Sequence, residues 1–241
     1  MMINSKVAVI VVNWKKYDIT SSCIESILNS TNSNFKIILV DNESDNKKVK
    51  NFKYRNQIKI IQNKNNEGFS KANNIGIDYA LKNNYDYTIL INNDTIVEKN
   101  LIEVLLKTAQ AKNFSVVQPL ILNYNSKEIW NSGGRINFFF GNFITRKKLG
   151  NSLNSSLELT EWFTGCCCLF KTKIFKDIGK LDERFFAYYE DVDFSLRLKK
   201  HGYKIGFTSK THIYHYESFS SILNNSKGGK LSPYIHYLNI R

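Results

Sequence analysis

An apolar, β-branched run from Tyr87 to Ile91 stops abruptly at Asn92, Asn93 and Asp94. A buried strand that ends this way delivers a carboxylate to its exposed tip, and in open α/β sheets ligands bind just beyond the carboxyl ends of strands. Cations such as Mg²⁺ and Mn²⁺ favour oxygen ligands, commonly one or two carboxylates plus substrate phosphates. Asp94 flanked by amides suits that economy, although Asn-Asn-Asp-Thr is also ordinary turn chemistry. Glu190 and Asp191 follow the aromatic-rich run Phe185 to Tyr189 at the start of a helix, where the dipole and free N–H groups keep carboxylates ionised. Capping alone could use them too. Asp193 has a local partner in Arg197, four residues on, whereas Glu190 and Asp191 have none. An ionised carboxylate beside an acceptor hydroxyl can act as a general base. His215 shares a strand face with Ile213 and opposes His212 and Tyr214. Alone it reads as a structural histidine; in company with Asp94 and Asp191 it suggests one metal-dependent transfer site.

The elements that must position these groups alternate along the first half. Val7 to Val12, Phe35 to Val40, Ile58 to Gln62 and Tyr87 to Ile91 read as strands, and another begins at Val116-Val117 before Pro119. Ile19 to Asn29, Ser70 to Asn83 and Asn100 to Lys112 read as helices. This order predicts a parallel sheet with right-handed crossovers, with Asn13, Asp41 and Asn92 to Asp94 at strand ends. The loop Asn65 to Ser70, with Gly68, leads into a helix and can present N–H groups to a nucleotide or phosphate; as a plain helix start it would use Ser70 as its cap. It is no P-loop, and a dinucleotide site of the usual kind is disfavoured. The second half is less regular. Asn123 to Leu159 reads as loops or short strands around Gly133-Gly134, Trp162 to Phe170 as a strand, Thr172 to Ile178 and Glu190 to His201 as helices, and Lys204 to Phe207 and Thr211 to Tyr216 as closing strands. The 241 residues are expected to form a single domain with two functional halves.

A hydrophobic content of 42% supports a proper core and argues against disorder. The 34 basic and 21 acidic residues give a formal charge of +13, compatible with nucleic acid, an anionic membrane, a phosphorylated substrate, or a lysine-rich compositional bias. No nucleic-acid-binding motif accompanies the charge, and the aromatic residues are not interleaved with a basic stripe. Cys23 and the consecutive Cys166, Cys167 and Cys168 contain no Cys-x-x-Cys pair, so a zinc knuckle is disfavoured. They read as small buried residues of a reducing compartment. No run approaches the ~20 apolar residues of a membrane span, and Met-Met-Ile-Asn-Ser-Lys runs straight into a strand without a leader-like segment. The expected location is cytoplasmic.

With these residues laid out, the chain resembles the family 2 glycosyltransferases of the GT-A fold, in the branch often labelled rhamnosyltransferase-like. The resemblance runs from Val7 almost to the C-terminus and is carried by an ordered set of motifs. These are Val11 to Trp14, Val40 to Asn42, Asn66 to Gly76, Asn92 to Thr95, Gly165, Leu181 to Phe186, Tyr189 to Asp193, Leu196-Arg197 and Tyr214-His215. It implies one α/β GT-A domain with a mostly parallel central sheet, residues 1–118 forming a nucleotide-binding half and 119–241 an acceptor-binding and catalytic half. It implies a nucleoside-diphosphate sugar donor, dTDP-rhamnose or a UDP-hexose, and inverting transfer to a glycan or lipid-linked glycan. Val12, Asn13, Asp41, Asn66, Gly68 and Asn74 would hold the nucleoside. Asp94 would bind Mg²⁺ or Mn²⁺, with Asn92 and Asn93 beside it in the place of the family's Asp-x-Asp, and His215 would complete that site. Asp191 would be the base, with Glu190 and Gly165 next to it. Trp162, with Phe163, Tyr188 and Tyr189, is a candidate to stack on a sugar ring, or to be core. The resemblance leaves room for peripheral association with the inner membrane face and for a non-catalytic, nucleotide-sugar-binding subunit. Family members often run on past the closing Tyr-Leu-Asn-Ile-Arg, so a membrane-associating tail is a further expectation.

Overall fold

The structure is a computed structural model that describes residues 5–137, 139, 142–149 and 157–216. In chain order the elements are β1 (Val7–Asn13), α1 (Tyr17–Leu28), β2 (Phe35–Asn42), α2 (Asn46–Lys50), β3 (Lys59–Asn63), α3 (Gly68–Lys82), β4 (Tyr87–Asn92), β5 (Thr95–Val97) and α4 (Leu101–Ala111). They continue with β6 (Val116–Asn123), β7 (Ile129–Asn131), β8 (Gly134–Asn137), β9 (Asn142–Thr145), β10 (Leu157–Thr160), β11 (Cys167–Lys171), α5 (Ile174–Asp177), α6 (Glu190–Lys200) and β12 (Ile205–His215). Among the described residues ten strands form one sheet, ordered β10-β12-β6-β11-β4-β1-β2-β3, with β5 attached to β12 and β7 to β6; β8 and β9 form a separate hairpin.

The parallel part follows from the expected strand–helix alternation. β1 pairs in parallel with both β2 and β4, and β2 with β3. The chain therefore steps outward from β1 to β3 and then returns to the other side of β1. Such a reversal is where open α/β sheets bind ligands, here beyond the carboxyl ends of β1 and β4. Apolar residues of α1 and α4, including Ile24, Ile27, Leu105 and Leu106, cover one face of the sheet. Those of α3 and α6, including Ala72, Ile77, Phe194 and Leu198, cover the other. All four cysteines are free and buried. Cys166 and Cys167 join the first core and Cys168 the second. Burial raises their thiol pKa values, that of Cys23 to about 12, so they are inert packing residues.

The strand that begins at Val116-Val117 runs through Pro119 to Asn123, because Pro119 sits opposite Thr208 where the parallel ladder to β12 slips between Thr208 and His212; a strand tolerates proline best where its ladder is already irregular. Two sequence expectations change. The two closing strands are one, β12, bent at that same slip. The strand expected from Trp162 starts only at Cys167 and runs antiparallel to both β4 and β6. Part of the Asn123 to Leu159 segment and everything after Tyr216, including the expected tail, lie outside the described residues. Among the described residues no helix is long and apolar enough to cross a membrane.

Candidate functional site

Short β5 brings the site together. It pairs antiparallel with the end of β12, setting Thr95 opposite His215, and Tyr216 N donates to Asp94 O at 3.0 Å. His215 Nε2 lies 3.3 Å from Asp94 Oδ1, with side chains 9% and 8% exposed. That separation satisfies an ion-pair distance but not hydrogen-bond geometry, so Asp94 Oδ1 and His215 Nδ1 are both buried without a hydrogen bond. The ring of Trp130 packs against the imidazole, centroids 4.9 Å apart. Asn92 Oδ1, at the tip of β4, is likewise buried and unbonded. Buried polar atoms nearly always have partners, so a cluster of exceptions needs an explanation.

Those donors fit a hard or borderline cation. A carboxylate and an imidazole at this spacing could hold Mn²⁺, or Mg²⁺ chiefly through the carboxylate, with further oxygen ligands completing the shell. Among the described residues no group of three or more His, Cys, Asp and Glu side chains is placed to hold a metal ion.

Glu190 and Asp191 stand at the start of α6. The residues before them, Tyr188 and Tyr189, have φ of 71° and 67°, a left-handed conformation costly for bulky side chains. Asp191 Oδ2 accepts from Gly165 N at 2.9 Å and Oδ1 from Val192 N at 2.8 Å. Glu190 is 5% exposed and its Oε2 has no hydrogen bond. Burial first, and the neighbouring Asp191 charge second, push the Glu190 carboxyl up to about 8; burial also raises Asp191. Asp191 has two N–H donors on its carboxylate while Glu190 Oε2 has no hydrogen bond, so Asp191 is the member of the pair better held as an anion. Gly165 is packed here, since a Cβ would lie 3.3 Å from Glu190 Oε1. The next residue ties this corner to the metal-like cluster, because Cys166 O accepts from Asn92 N at 2.9 Å. Gly165 and Cys166 thus join the tip of β4 to the start of α6, and Asp94, His215 and Asp191 share one end of the sheet.

The first half is built differently. Asn13 is fully buried: its amide donates to Asp41 Oδ1 (2.9 Å) and Ser44 Oγ (3.3 Å), and its oxygen accepts from Thr20 Oγ1 (2.8 Å) and Lys16 N (3.2 Å). Asp41 Oδ2 accepts from Ser44 N at 3.1 Å. Asn93 turns away from Asp94 and donates to Thr20 Oγ1 at 2.9 Å. Val12 stays partly exposed at the rim. Asn42 donates to Asn66 Oδ1 (2.7 Å) and Gly68 O (3.2 Å), and accepts from Glu67 N (2.9 Å) and Asn63 Nδ2 (3.1 Å). Asn74 holds Leu181 by both N–H and C=O, at 3.1 and 2.8 Å, and donates to Glu183 Oε1 at 3.0 Å. In this structure Asn13, Asp41, Asn66 and Asn74 therefore hold loops in place. Ser70 is not the cap expected: α3 begins at Gly68, and the Ser70 hydroxyl is buried without a bond. Gly68 has φ +79°, and a Cβ there would sit 2.6 Å from Phe186 O.

Burial divides the aromatic candidates that the sequence left open between sugar platform and core. Phe163 is 1% exposed, packed on Phe170 and Phe194. Trp162 is 8% exposed and clusters with Ile136 and Val192, so its ring is core. Tyr188 and Tyr189, 39% and 43% exposed, keep their rings partly open to solvent. Sequence reasoning missed Trp130, Thr20, Ser44 and the organising role of Asn42; only Asn42 had a signal, as the last residue of the Val-Asp-Asn motif.

The profile described as Glycosyl transferase family 2 matches residues 8–179. The chain is 26% identical to the low-salt glycan biosynthesis hexosyltransferase Agl10 of Haloferax volcanii, over 83% of this chain and 63% of that protein. It is 23% identical to the rhamnosyltransferase WbbL of Escherichia coli, over 87% and 83%. Among solved structures, GalNAc-T7 with UDP, GalNAc and Mn²⁺ superposes with a TM-score of 0.75 at 15% identity, covering 89% of this chain and 44% of that one. That likeness concerns the fold, which is GT-A. The chain thus spans somewhat under two thirds of the length of Agl10. From Ala8 at the start of the sheet to Gly179 after α5, the chain belongs to glycosyl transferase family 2.

Proposed function

We propose that this protein is an inverting glycosyltransferase. It moves a sugar from a nucleoside-diphosphate donor, dTDP-rhamnose or a UDP-hexose, to a hydroxyl of a glycan or lipid-linked glycan. The observation that carries the reading is the meeting of unsatisfied Asp94 and His215 with the Glu190–Asp191 pair at one end of the sheet, through Gly165 and Cys166. Family membership and the names of Agl10 and WbbL support it.

In this reading Asp94 and His215 would hold a Mg²⁺ or Mn²⁺ ion. Bound there, the cation would offset the negative charge that gathers on the departing diphosphate. Val12, Asn13, Asp41, Asn66, Gly68 and Asn74 form the nucleoside cradle, directly at Val12 and through the loops they hold at the others. Asp191 takes the proton of the acceptor hydroxyl as that oxygen attacks the anomeric carbon from the face opposite the diphosphate. The sugar–phosphate bond breaks and its electron pair leaves with the nucleoside diphosphate. A single base with no covalent nucleophile gives inversion. Protonated Glu190 lets Asp191 stay charged without a second anion beside it, and burial makes Asp191 a stronger base than a solvated carboxylate. Tyr188 and Tyr189 offer faces to the acceptor sugar, and Trp162 supports them from beneath.

Residues 1–241 are read as one domain, with a nucleotide half to about residue 118 and an acceptor half beyond it. The reading includes a cytoplasmic setting, with peripheral attachment at the inner membrane face, and no nucleic acid partner. A non-catalytic, nucleotide-sugar-binding subunit is the weaker reading, because binding alone needs no buried base. Thermal stabilisation by nucleoside diphosphates and nucleotide sugars, each with and without Mn²⁺ or Mg²⁺, tests the proposal. One nucleotide class should stabilise in a cation-dependent way, and the matching nucleotide sugar should be slowly hydrolysed. Indifference to every nucleotide would overturn it.

A further inference from the structure

The β8–β9 hairpin presents two unlike faces. Its register sets Ile136 opposite Phe143 and Arg135 opposite Ile144. Directly paired residues share a face and successive ones alternate. Ile136 and Phe143 turn inward onto Trp162 and Val192. Arg135 and Ile144 turn outward, Ile144 being 52% exposed. Phe139, in the connection between the strands, is 88% exposed, and the chain leaving β9 exposes Lys147, Lys148 and Leu149. From Ile129 to Leu157 the sequence carries Arg135, Arg146, Lys147 and Lys148 and no Asp or Glu.

A single exposed apolar residue needs no explanation. A phenylalanine in the connection of a hairpin whose outer face carries Ile144 and Arg135, with Lys147, Lys148 and Leu149 on the chain that leaves its second strand, is different. It has the composition of a surface that rests in the headgroup region of a bilayer, apolar side chains reaching the acyl boundary and cations meeting lipid phosphates. The absence of acidic residues over this stretch removes the repulsion that an anionic surface would otherwise meet. Nucleic acid would use the cations but leave the apolar residues without a role.

We propose that the outer face of the β8–β9 hairpin, with Phe139, Ile144, Arg135, Lys147 and Lys148, is a docking surface for anionic phospholipid membranes. Docking itself is independent of the enzymatic assignment. Its consequence for catalysis rests on the transferase reading: the inner face of the same hairpin packs on Val192, one residue after Asp191, and Phe143 lies 6.4 Å from the Tyr189 ring. A hairpin seated on the bilayer would hold the acceptor side of the site at the height of a lipid-linked glycan.

The test is flotation of the full chain with vesicles of phosphatidylcholine alone and of equimolar phosphatidylcholine and phosphatidylglycerol. The wild type should float with the anionic vesicles only. Replacing Arg135, Lys147 and Lys148 by glutamine should weaken that binding roughly 100-fold. Phe139→Ser with Ile144→Ser should weaken it about 10-fold or more. Nucleotide-induced thermal stabilisation, measured on the same samples, should match the wild type in both variants, which separates lost docking from misfolding or from failure of the donor site. No flotation of the wild type, or equal flotation of all three proteins, would overturn the proposal. So would a wild-type dimer in light scattering that Phe139→Ser dissolves, since that result gives the face to a second copy of the chain.

Discussion

Asn13 and Asn42, on the β1–β2 side of the candidate site, are buried to 0% and 2% exposure and hydrogen-bonded at both ends of their amides. Asp94, His215 and Glu190, on the other side, are buried almost as deeply, yet each retains a polar atom with no hydrogen bond. Burial is the same; satisfaction is not. A saturated amide network costs little to bury and holds loops in one geometry. An unsatisfied carboxylate or imidazole is a standing cost that a fold tolerates where something else completes it. The contrast separates residues that shape the site from residues that, on the proposed reading, await a ligand, and it orders the tests.

The largest effect is expected at Asp191. Asp191→Asn should lower turnover roughly 10²–10⁴-fold while nucleotide-induced stabilisation persists; unchanged turnover would remove Asp191 from the chemistry. Next comes the shaping side. Gly68→Ala forces a Cβ against Phe186 O in a left-handed conformation and should cost about 2–3 kcal/mol in denaturant unfolding. Asp94→Asn should do the reverse of a shaping mutation. Its stability without metal should stay near wild type, while stabilisation by Mn²⁺, about 2.7 kcal/mol for the wild type at a hundredfold excess over Kd, should disappear.

Glu190 predicts a pH dependence. Its carboxyl, with an unfolded value near 4.5, is raised to about 8 in the fold, so the native state binds the proton more tightly. Its contribution to stability is therefore intact below about pH 4. That contribution is lost progressively, at most ~1.4 kcal/mol per pH unit, as pH rises to about 8, and is constant above that. Glu190→Gln should flatten this slope in pH-dependent unfolding, and an unchanged slope would place the charge elsewhere. The smallest effect belongs to Asn93. Its side chain adds a bond at the rim of a network that is otherwise complete, so Asn93→Ala should cost about 1 kcal/mol and leave Mn²⁺ stabilisation intact. A larger loss of metal response would move Asn93 into the ligand-awaiting group.

Most of the parallel half was legible because its strands are continuous apolar runs and its helices have clear stripes. β1, β2 and β4 start at the expected residues, and they end one or two residues later because Asn13, Asn42 and Asn92 pair before they turn. Local patterning carries that information. The antiparallel course of β11 did not show, because a short apolar run such as Cys167 to Phe170 looks the same in either direction. Nor did β5, three residues long, whose pairing with β12 decides where Asp94 meets His215. The candidate site was legible as residue types at strand and helix ends. Whether an amide was spent inside the protein was not, since Asn74 and Leu181 are 107 positions apart and nothing in either neighbourhood announces the bond. Trp162 and Phe163 show the same limit: an aromatic side chain fits a sugar platform and a core equally well, and only packing decides.

Gly68 has one more consequence. It lies under Phe186, and Phe69 N donates to Phe186 O, while Asn74 grips Leu181 from the same helix. The segment that leads to Tyr188, Tyr189 and Asp191 is thus clamped to the first turns of α3. Any molecule that stiffens the start of α3 also lowers the entropy left for the neighbouring segment to lose. Affinities at the two ends of the clamp are then linked, and linkage is reciprocal: whatever the first occupant does for the second, the second does equally for the first.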